Sequence, residues 1–245
     1  MIEHLHWDSD FFGYEVGAVS TPIDTFPKLD ELLAEFNSCK EKLVYVYLPL
    51  SGMDLVSRIL EERGALLADV RAELTVDLDE RHSGGIDSKD VILRDGERRD
   101  AKEAGELASK CFRGSTRFYR DPHIPDEKCD LLYRIWAAGD ILDSDGMSLV
   151  SASSDKLLGF CTAVKTGPAN ARLGLICVSS RARGRGIGHG LLSGMAGRLR
   201  NDGCERLSAV TQLVNTAAIR MYEKAGFLLE STTAVVHLWM AERRD

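Results

Sequence analysis

The sequence contains little that would place the protein in a membrane, in an oxidising compartment or on nucleic acid. Its six cysteines, at positions 39, 111, 129, 161, 177 and 204, are scattered and form no C-x-x-C pair, so we expect reduced thiols and no structural metal. No apolar run approaches the about 18 residues that span a bilayer. Residues 1–8 lack the basic start and apolar core of a signal peptide. These absences predict a cytoplasmic protein.

Positive charge is also scarce. The net charge of −7 provides no general basic field for nucleic acid or for an anionic membrane, so neither is an expected partner. Any anion site must then be a local cluster of Arg and Lys. The sequence leaves the oligomeric state open, with a homodimer among the alternatives.

What the chain does contain is enough apolar sequence for a real core, since 44% of its 245 residues are hydrophobic. Residues 81–90 are rich in charge, Ser and Gly without periodicity, which predicts a linker. We therefore expect an α/β protein with a smaller N-terminal α/β domain at 1–80 and a C-terminal domain at 91–245. In the first domain the pattern predicts strands at about 11–20, 43–48 and 66–78 and helices at about 26–39 and 52–63.

The C-terminal domain is expected to begin with a strand at 91–94, a helix at 98–110 and an irregular segment with a helix at 111–139. Strands at 147–153, 157–165 and 172–178 follow. The order then continues as a glycine-rich loop, helix 188–200, strand 206–211, helix 216–225 and strand 229–240.

The glycine-rich turn at 183–190 is the strongest functional signal. It follows the buried-strand pattern Leu173–Val178 and precedes a helical apolar face. Glycines let backbone N–H groups turn toward a ligand, and a helix N-terminus adds partial positive charge, which together favour an anion such as a phosphate. Neither the dinucleotide spacing G-x-G-x-x-G nor a P-loop fits any register here.

The spacing that does fit is [QR]-x-x-G-x-[GA], at Arg183, Gly186 and Gly188. It resembles the pyrophosphate loop of the GNAT acetyltransferases, which use acetyl-CoA as co-substrate. A second match follows at Asn215, Ala218, Tyr222, Gly226 and Phe227, similar to the family's N-x-x-A-x-x-x-Y-x-x-x-G-F. There Asn215 has the features of a helix N-cap and Gly226 those of a left-handed helix stop.

The resemblance covers about 150 residues and implies a GNAT fold, a mixed central sheet flanked by helices, and N-acetyltransferase activity without a metal. It also implies a set of residues that bind acetyl-CoA: Val178, Arg183, Gly184, Arg185, Gly186, Ile187, Gly188, His189 and Asn215. Tyr222 is the candidate proton donor to the leaving thiolate, and its alternative role is packing. A surface turn without a ligand is the alternative for the loop.

An internal similarity accompanies these motifs. Residues 59–67 align with residues 221–229, matching Glu61 with Glu223 and Gly64 with Gly226. No glycine-rich turn precedes the first copy, and Leu60 stands where Tyr222 stands in the second. The N-terminal domain is therefore either a degenerate GNAT-like half or an unrelated unit that shares a common helix–Gly–strand joint.

Residues 111–136 are dense in Arg and aromatic residues, and this segment resembles the acceptor segment of GNAT enzymes that acetylate nucleotide-linked amino-deoxy sugars. Guanidinium groups can hold a diphosphate and aromatic rings can stack on a base. We therefore expect an anionic sugar nucleotide as the acceptor, bound by Arg113, Arg117, Phe118, Tyr119, Arg120 and His123. The alternative for each is a solvated or core position.

The resemblance implies direct attack of a neutral amine on the thioester. A backbone N–H of the strand 157–164 or 173–178 is expected to polarise the thioester carbonyl. His123 and a water chain to a carboxylate are the alternatives for the base. Two other functions stay open, N-acetylation of a small amine or protein and a non-catalytic CoA-binding module.

Overall fold

The computed structural model describes residues 2–20, 29–79, 92–153 and 156–240, and the predicted linker at 81–90 lies outside them. The helices are α1 (His6–Phe12), α2 (Leu29–Ser38), α3 (Met53–Arg63), α4 (Ala101–Phe112), α5 (Arg117–Arg120), α6 (Asp126–Leu142), α7 (Ile187–Asn201) and α8 (Thr216–Lys224). The strands are β1 (Glu3–His4), β2 (Val16–Ser20), β3 (Leu43–Pro49), β4 (Leu66–Asp77), β5 (Leu93–Asp95), β6 (Met147–Ser153), β7 (Lys156–Lys165), β8 (Asn170–Val178), β9 (Arg206–Gln212) and β10 (Leu228–Trp239).

All ten of these strands join one sheet in the order β1-β2-β3-β10-β4-β9-β8-β7-β6-β5. The pairs β2–β3 and β8–β9 are parallel, and the remaining neighbours are antiparallel. Helices cover the sheet, so the α/β class with a mixed central sheet is confirmed.

Strands from the two parts of the chain interleave within this sheet. Strand β10 from the C-terminal part lies between β3 and β4 of the N-terminal part. Strand β4 in turn lies between β10 and β9. A division of the chain at 81–90 stays a prediction, but the two parts do not carry separate sheets.

Three apolar clusters fill the layers between sheet and helices. The first lies under α7 and α8 and contains Leu191, Leu207 and Tyr222. The second lies under α4 and α6, and it includes Tyr45 from the N-terminal part. The third lies between α2, α3, β3 and β10. Successive side chains of β3 point to opposite faces of the sheet. Leu43, Tyr45 and Tyr47 therefore reach the second cluster, while Val44, Val46 and Leu48 enter the third.

The predicted elements are largely confirmed, with one correction. The expected strand at 11–20 begins only at Val16, because the preceding residues form α1, which ends at Gly13 with φ 80°. Its aromatic residues pack as a helix face, with Trp7 stacked on Phe11 at 5.2 Å and close to Trp136 of α6 at 5.9 Å. Tertiary packing thus overrides the alternating pattern that predicted a strand.

The internal similarity has a structural counterpart. Helices α3 and α8 both end at a left-handed glycine, Gly64 with φ 61° and Gly226 with φ 87°, and each leads into one of the paired strands β4 and β10. The degenerate-half interpretation stays a prediction. Across the described ranges, none of the helices has the length and apolar character needed to traverse a bilayer.

Candidate active site

A gap in the middle of the sheet forms the site. Strands β8 and β9 pair only at Asn170–Arg206, Ala171–Leu207 and Arg172–Ser208. Beyond Arg172, β8 continues to Val178 and β9 continues to Gln212 without pairing to each other. The strands therefore diverge, and the edge of β8 that faces β9 keeps unpaired backbone groups.

The gap opens into a cleft of about 400 Å³. Its walls come from β4, α5, α6, β8, β9 and α8, so both parts of the chain contribute. The residues that line it are Asp69, Arg71, Phe112, Thr116, Arg117, Phe118, Tyr133, Trp136, Asp140, Arg172, Leu173, Gly174, Leu175, Ile176, Val210, Thr211, Gln212, Asn215, Ala218 and Tyr222.

The glycine-rich turn leads from β8 into α7 at one end of this gap. Gly184 and Gly186 have φ of 77° and 78°, a left-handed conformation that glycine adopts without strain. Helix α7 begins at Ile187 with no side-chain cap on Gly186 and no acidic residue in its first turn. The first-turn N–H groups and the helix dipole are therefore available to an anion.

The side chains around the turn fit a phosphate group as well. Arg183 and Arg185 are exposed, and Arg183 Nε donates to the carbonyl of Val178 at 3.4 Å. A Cβ on Gly188 would lie 3.0 Å from Met221 Sδ and 3.5 Å from Val178 Cγ2, so a larger residue would crowd the Met221 side chain of α8. A shallow groove beside the turn is lined by His189, Ala217, Arg220, Met221 and Lys224. The turn therefore has the donors and space that the pyrophosphate of CoA requires.

Helix α8 brings two further motif residues to the cleft. Asn215 caps the helix as predicted, because its Oδ1 accepts the N–H of Ala218 at 3.2 Å. Tyr222, about two helical turns further along α8, also lines the cleft although it is only 3% exposed. Burial, with the nearby Cys161 and Cys177, raises the pKa of Tyr222 above its ordinary value. Its hydroxyl thus keeps its proton throughout the neutral range.

A bulge in β8 places a carboxylate at the cleft. Between Cys161–Ile176 and Ala163–Leu173 the register of β7 and β8 shifts, and Thr162 faces the extra residue. Its Oγ accepts the N–H of Leu175 at 2.8 Å and donates to Asp140 Oδ2 at 2.7 Å. A Cβ on Gly174 would lie 2.5 Å from Thr162 Oγ and 2.9 Å from Asp140 Oδ2, so the bulge needs glycine there.

The environment of Asp140 raises the pKa of its carboxyl above the ordinary value. Burial raises the pKa of this carboxyl, whereas the hydrogen bond from Thr162 lowers it by less. Burial also raises the pKa of Asp69, the other carboxylate of the cleft, and the charge of Arg120 opposes this shift. Asp69 Oδ1 already accepts from Arg120 Nη1 at 3.1 Å and from the N–H of Val70 at 2.9 Å.

The predicted acceptor residues do not all reach the cleft. Arg113 is exposed and pairs with Asp130 at 2.6 Å, and the hydroxyl of Tyr119 donates to the same carboxylate at 2.7 Å. Arg120 pairs with Asp69 from behind, outside the lining.

His123 also lies outside the lining, on the far side of Asp121. Its Nδ1 is 3.1 Å from Asp121 Oδ1, and its ring lies against Trp239 at 5.1 Å. The other oxygen of Asp121 accepts from the buried His237 at 2.6 Å and from Trp239 at 2.9 Å. This cluster ties α5 to β10 and leaves His123 about 61% exposed.

Arg117 and Phe118 are the predicted acceptor residues that the structure places in the cleft. Phe118 is 1% exposed and part of the core beneath α6. Arg117 is 8% exposed, and its guanidinium carbon lies 4.0 Å from the ring centre of Tyr45 and 4.3 Å from that of Phe118. Its Nη1 is buried and has no hydrogen-bond partner in the part of the chain that the structure describes.

Sequence reasoning missed Arg71, Asp69 and Asp140. The first two lie two residues apart on β4 and therefore on one face of the strand, in a segment assigned to a separate domain. The alternation Asp69-Val70-Arg71 within an apolar strand was the available signal. Asp140 lies near the end of α6 and carries no motif. Within the described ranges, no group of three or more His, Cys, Asp or Glu is arranged to hold a metal ion.

Comparison with known proteins gives one family. Residues 105–227 match the Acetyltransferase (GNAT) family. The chain is 24% identical over 234 residues to dTDP-fucosamine acetyltransferase of Escherichia coli, covering 94% of this chain and 95% of that protein. It is 25% identical over 140 residues to the spore coat polysaccharide biosynthesis protein SpsD of Bacillus subtilis, covering 57% of this chain and 48% of SpsD. The match thus spans about half of the length of SpsD.

The fold also matches a solved structure. A conserved protein of unknown function from Staphylococcus epidermidis superposes with a TM-score of 0.67 at 13% identity, covering 93% of this chain and 85% of that one. At this identity the likeness shows the shared fold alone.

Proposed function

The chain belongs to the GNAT family of acetyltransferases, and we propose that it transfers an acetyl group directly to the primary amine of a nucleotide-linked amino-deoxy sugar. The observation that carries the acceptor class is the guanidinium of Arg117, which lies buried in the cleft with an unpartnered Nη1. A buried N–H donor without a hydrogen-bond partner is costly. An acceptor with its own negative charge would supply the missing partner.

The names of the relatives support this acceptor. One is a dTDP-fucosamine acetyltransferase that aligns along nearly the whole chain, and the other belongs to polysaccharide biosynthesis. The six free cysteines are consistent with a reducing compartment such as the cytoplasm.

Acetyl-CoA, which the family uses, fits the turn at 183–189. The N–H groups of Gly188 and His189 at the start of α7, with Arg183 and Arg185, would hold its pyrophosphate. When bound, acetyl-CoA supplies an acetyl thioester, and the gap between β8 and β9 would accommodate this group. Asn215 and Val178 border the same gap.

Strand β8 is the better of the two candidates for polarising the thioester carbonyl. Strand β7 pairs with β6 on one side and β8 on the other, so its N–H groups serve the ladder. After Arg172, by contrast, the β9 side of β8 is unpaired. A fixed backbone donor on that edge stabilises negative charge on the oxygen without reorganisation.

Two side chains would move the protons. Tyr222, whose raised pKa keeps it protonated, donates its hydroxyl proton to the leaving thiolate. Asp140 takes the proton of the acceptor amine, since it is the cleft carboxylate not already engaged by an arginine. A carboxyl with a raised pKa is a stronger base than an ordinary one. His123 is a poorer candidate because it lies outside the cleft lining.

A turnover assay tests the proposal. Free thiol release from acetyl-CoA is measured with TDP- and UDP-linked amino-deoxy sugars, with the matching free amino sugars, and with polyamines and lysine peptides. The proposal requires turnover of a nucleotide-linked sugar at a kcat/KM far above that of the free sugar. Preference for a polyamine or a peptide would assign the chain to the small-amine or protein acetyltransferases, and acetyl-CoA binding without any turnover would identify a binding module.

A further inference from the structure

A second arginine faces the cleft beside Arg117 and comes from the other part of the chain. Arg71 of β4 is half-buried and lines the cleft. Its guanidinium carbon lies 4.6 Å from the ring centre of Tyr47, and that of Arg117 lies 5.7 Å from the same ring. The ring of Tyr47 therefore contacts both cations.

The two guanidinium groups are close enough to repel each other. Burial lowers the pKa of Arg71, Tyr47 opposes this effect, and the charge of Arg117 lowers the pKa of Arg71 further. Within the described ranges, neither guanidinium forms an ion pair with a carboxylate. Two cations thus line the same cleft and contact the same tyrosine ring.

The carboxylates nearest to the pair are already engaged. Asp69 is held by Arg120 at 3.1 Å. Asp8, on α1, accepts the hydroxyl of Tyr45 at 3.3 Å, and burial raises its pKa. Both soften the positive field without neutralising it. The donor Arg117 Nη1 has no hydrogen-bond partner among residues 2–20, 29–79, 92–153 and 156–240.

We propose that Arg71 and Arg117 together form a diphosphate-binding site in which the N-terminal part of the chain holds the acceptor. This inference rests on the proposed function for the source of the diphosphate. Two planar guanidinium groups suit two phosphates, since each can donate a forked pair of hydrogen bonds. The rings of Tyr45, Tyr47 and Phe118 contact the guanidinium groups by cation–π interaction, and Arg117 Nη1 has no hydrogen-bond partner among the described residues.

The site also explains why strand exchange matters for function. Arg71 lies opposite Gln212 of β9 and opposite Thr233 of β10 in the sheet register. Its position beside the cleft therefore depends on β4 lying between β9 and β10. A GNAT half by itself would lack this arginine and both tyrosines.

Anion binding tests the inference without requiring turnover. Inorganic pyrophosphate and dTDP are titrated calorimetrically into protein saturated with CoA, so that the glycine-rich turn is occupied. The variants are Arg71→Gln and Arg117→Gln, and Arg113→Gln is the matched control, an arginine of the same segment that pairs with Asp130 outside the cleft. Arg117→Lys keeps the charge and loses the fork, and it decides the role of Arg117 where the Gln variant does not fold.

We expect both probes to bind the unaltered protein. Arg71→Gln and Arg117→Gln should each weaken binding about 10- to 100-fold, as loss of a charge-assisted contact does. The affinity of Arg117→Lys should lie between those of the unaltered protein and Arg117→Gln. The Kd of Arg113→Gln should stay within about twofold of the unaltered value. Absence of binding, an unaffected Arg71→Gln, or an equal loss in Arg113→Gln overturns the site. Turnover is scored separately. Arginine-dependent dTDP binding without acetylation of any nucleotide sugar would contradict the proposed acceptor and support the diphosphate site. Efficient acetylation of a nucleotide sugar by Arg71→Gln would support the proposed acceptor and contradict the diphosphate site.

Discussion

Tyr222 and Asp140, the proposed acid and base, reach the cleft from different layers of the molecule. Tyr222 belongs to the cluster under α7 and α8, whereas Asp140 extends from α6, on the layer that contains Arg117. This arrangement keeps the proposed base apart from the proposed acid.

Replacing Tyr222 by Phe should lower kcat by about 10²–10⁴-fold while leaving the Kd of acetyl-CoA nearly unchanged. The ring and its contact with Phe227 at 5.3 Å remain, and only the hydroxyl proton is lost. Steady-state kinetics with the acceptor found in the panel, together with calorimetry of acetyl-CoA, provide the measurement. A Phe variant with full kcat, where chemistry limits the rate, would leave Tyr222 a packing residue.

Replacing Asp140 by Asn should lower kcat to a similar extent and remove one limb of the pH profile. A base must be ionised, and burial raises the pKa of Asp140. The rate should therefore fall as the pH decreases through a value above the ordinary carboxyl range of about 4. The Asn variant should lack this acidic limb. Persistence of the same limb in Asp140→Asn would show that another group titrates.

Thr162→Val serves as the companion variant for Asp140. It removes the hydroxyl that donates to Asp140 Oδ2 at 2.7 Å and keeps the shape of the side chain. Because that hydrogen bond lowers the pKa of Asp140, its loss should move the acidic limb to higher pH. A structural role alone would change the rate and leave the limb in place.

The proposed pyrophosphate site at the turn before α7 can be tested by substituting two glycines at opposite ends of the helix. Gly186 precedes α7 with φ 78°, and Gly203 follows it with φ 86°, and an added Cβ has open space at both. Gly186→Asp places a negative charge where the pyrophosphate is expected, and it should weaken acetyl-CoA binding by orders of magnitude in calorimetry. Gly203→Asp carries a similar backbone strain and should bind normally.

Helix electrostatics strengthens this comparison. A carboxylate at the start of α7 stabilises the helix, whereas one past its end destabilises it. Gly186→Asp is therefore the milder change for folding, and lost affinity cannot be attributed to a lost helix. Equal affinity in the two variants would contradict the assignment of the turn.

Prediction from the sequence succeeded where local spacing determines the structure. The turn at 183–190, the Asn215 cap and the Gly226 stop each depend on contacts within a few residues, so their positions were readable. Helix α1 was missed because its aromatic residues respond to α6, more than a hundred positions later. Long-range partners of this kind leave no periodic pattern in the sequence.

The candidate site divided in the same way. The segment 111–136 predicted a cationic acceptor site, and one of the three arginines proposed for that site, Arg117, lines the cleft. The composition of the segment could not show that Asp130 and Asp69 would pair with Arg113 and Arg120. Arg71 was out of reach, since its place depends on the insertion of β4 between β9 and β10.

The two parts of the chain should behave as one cooperative unit. Strand β10 has its ladder partners, β3 and β4, entirely within the N-terminal part. The cluster under α6 combines Tyr45 with Phe118 and Leu132. Neither part can bury its apolar surface without the other, so loss of one exposes the other.

Ile59→Ala tests this unity far from the cleft. Ile59 is 0% exposed in α3 and belongs to the cluster between α3, β3 and β10. The substitution should reduce the free energy of unfolding by about 2–5 kcal/mol, and circular dichroism and tryptophan fluorescence should report one coincident transition. Acetyl-CoA at about 100 times its Kd should raise the stability of the whole variant by about 2.7 kcal/mol. Two separate unfolding transitions, of which acetyl-CoA stabilises only one, would show that the chain divides into independent domains. The interleaved strands would then not couple these domains.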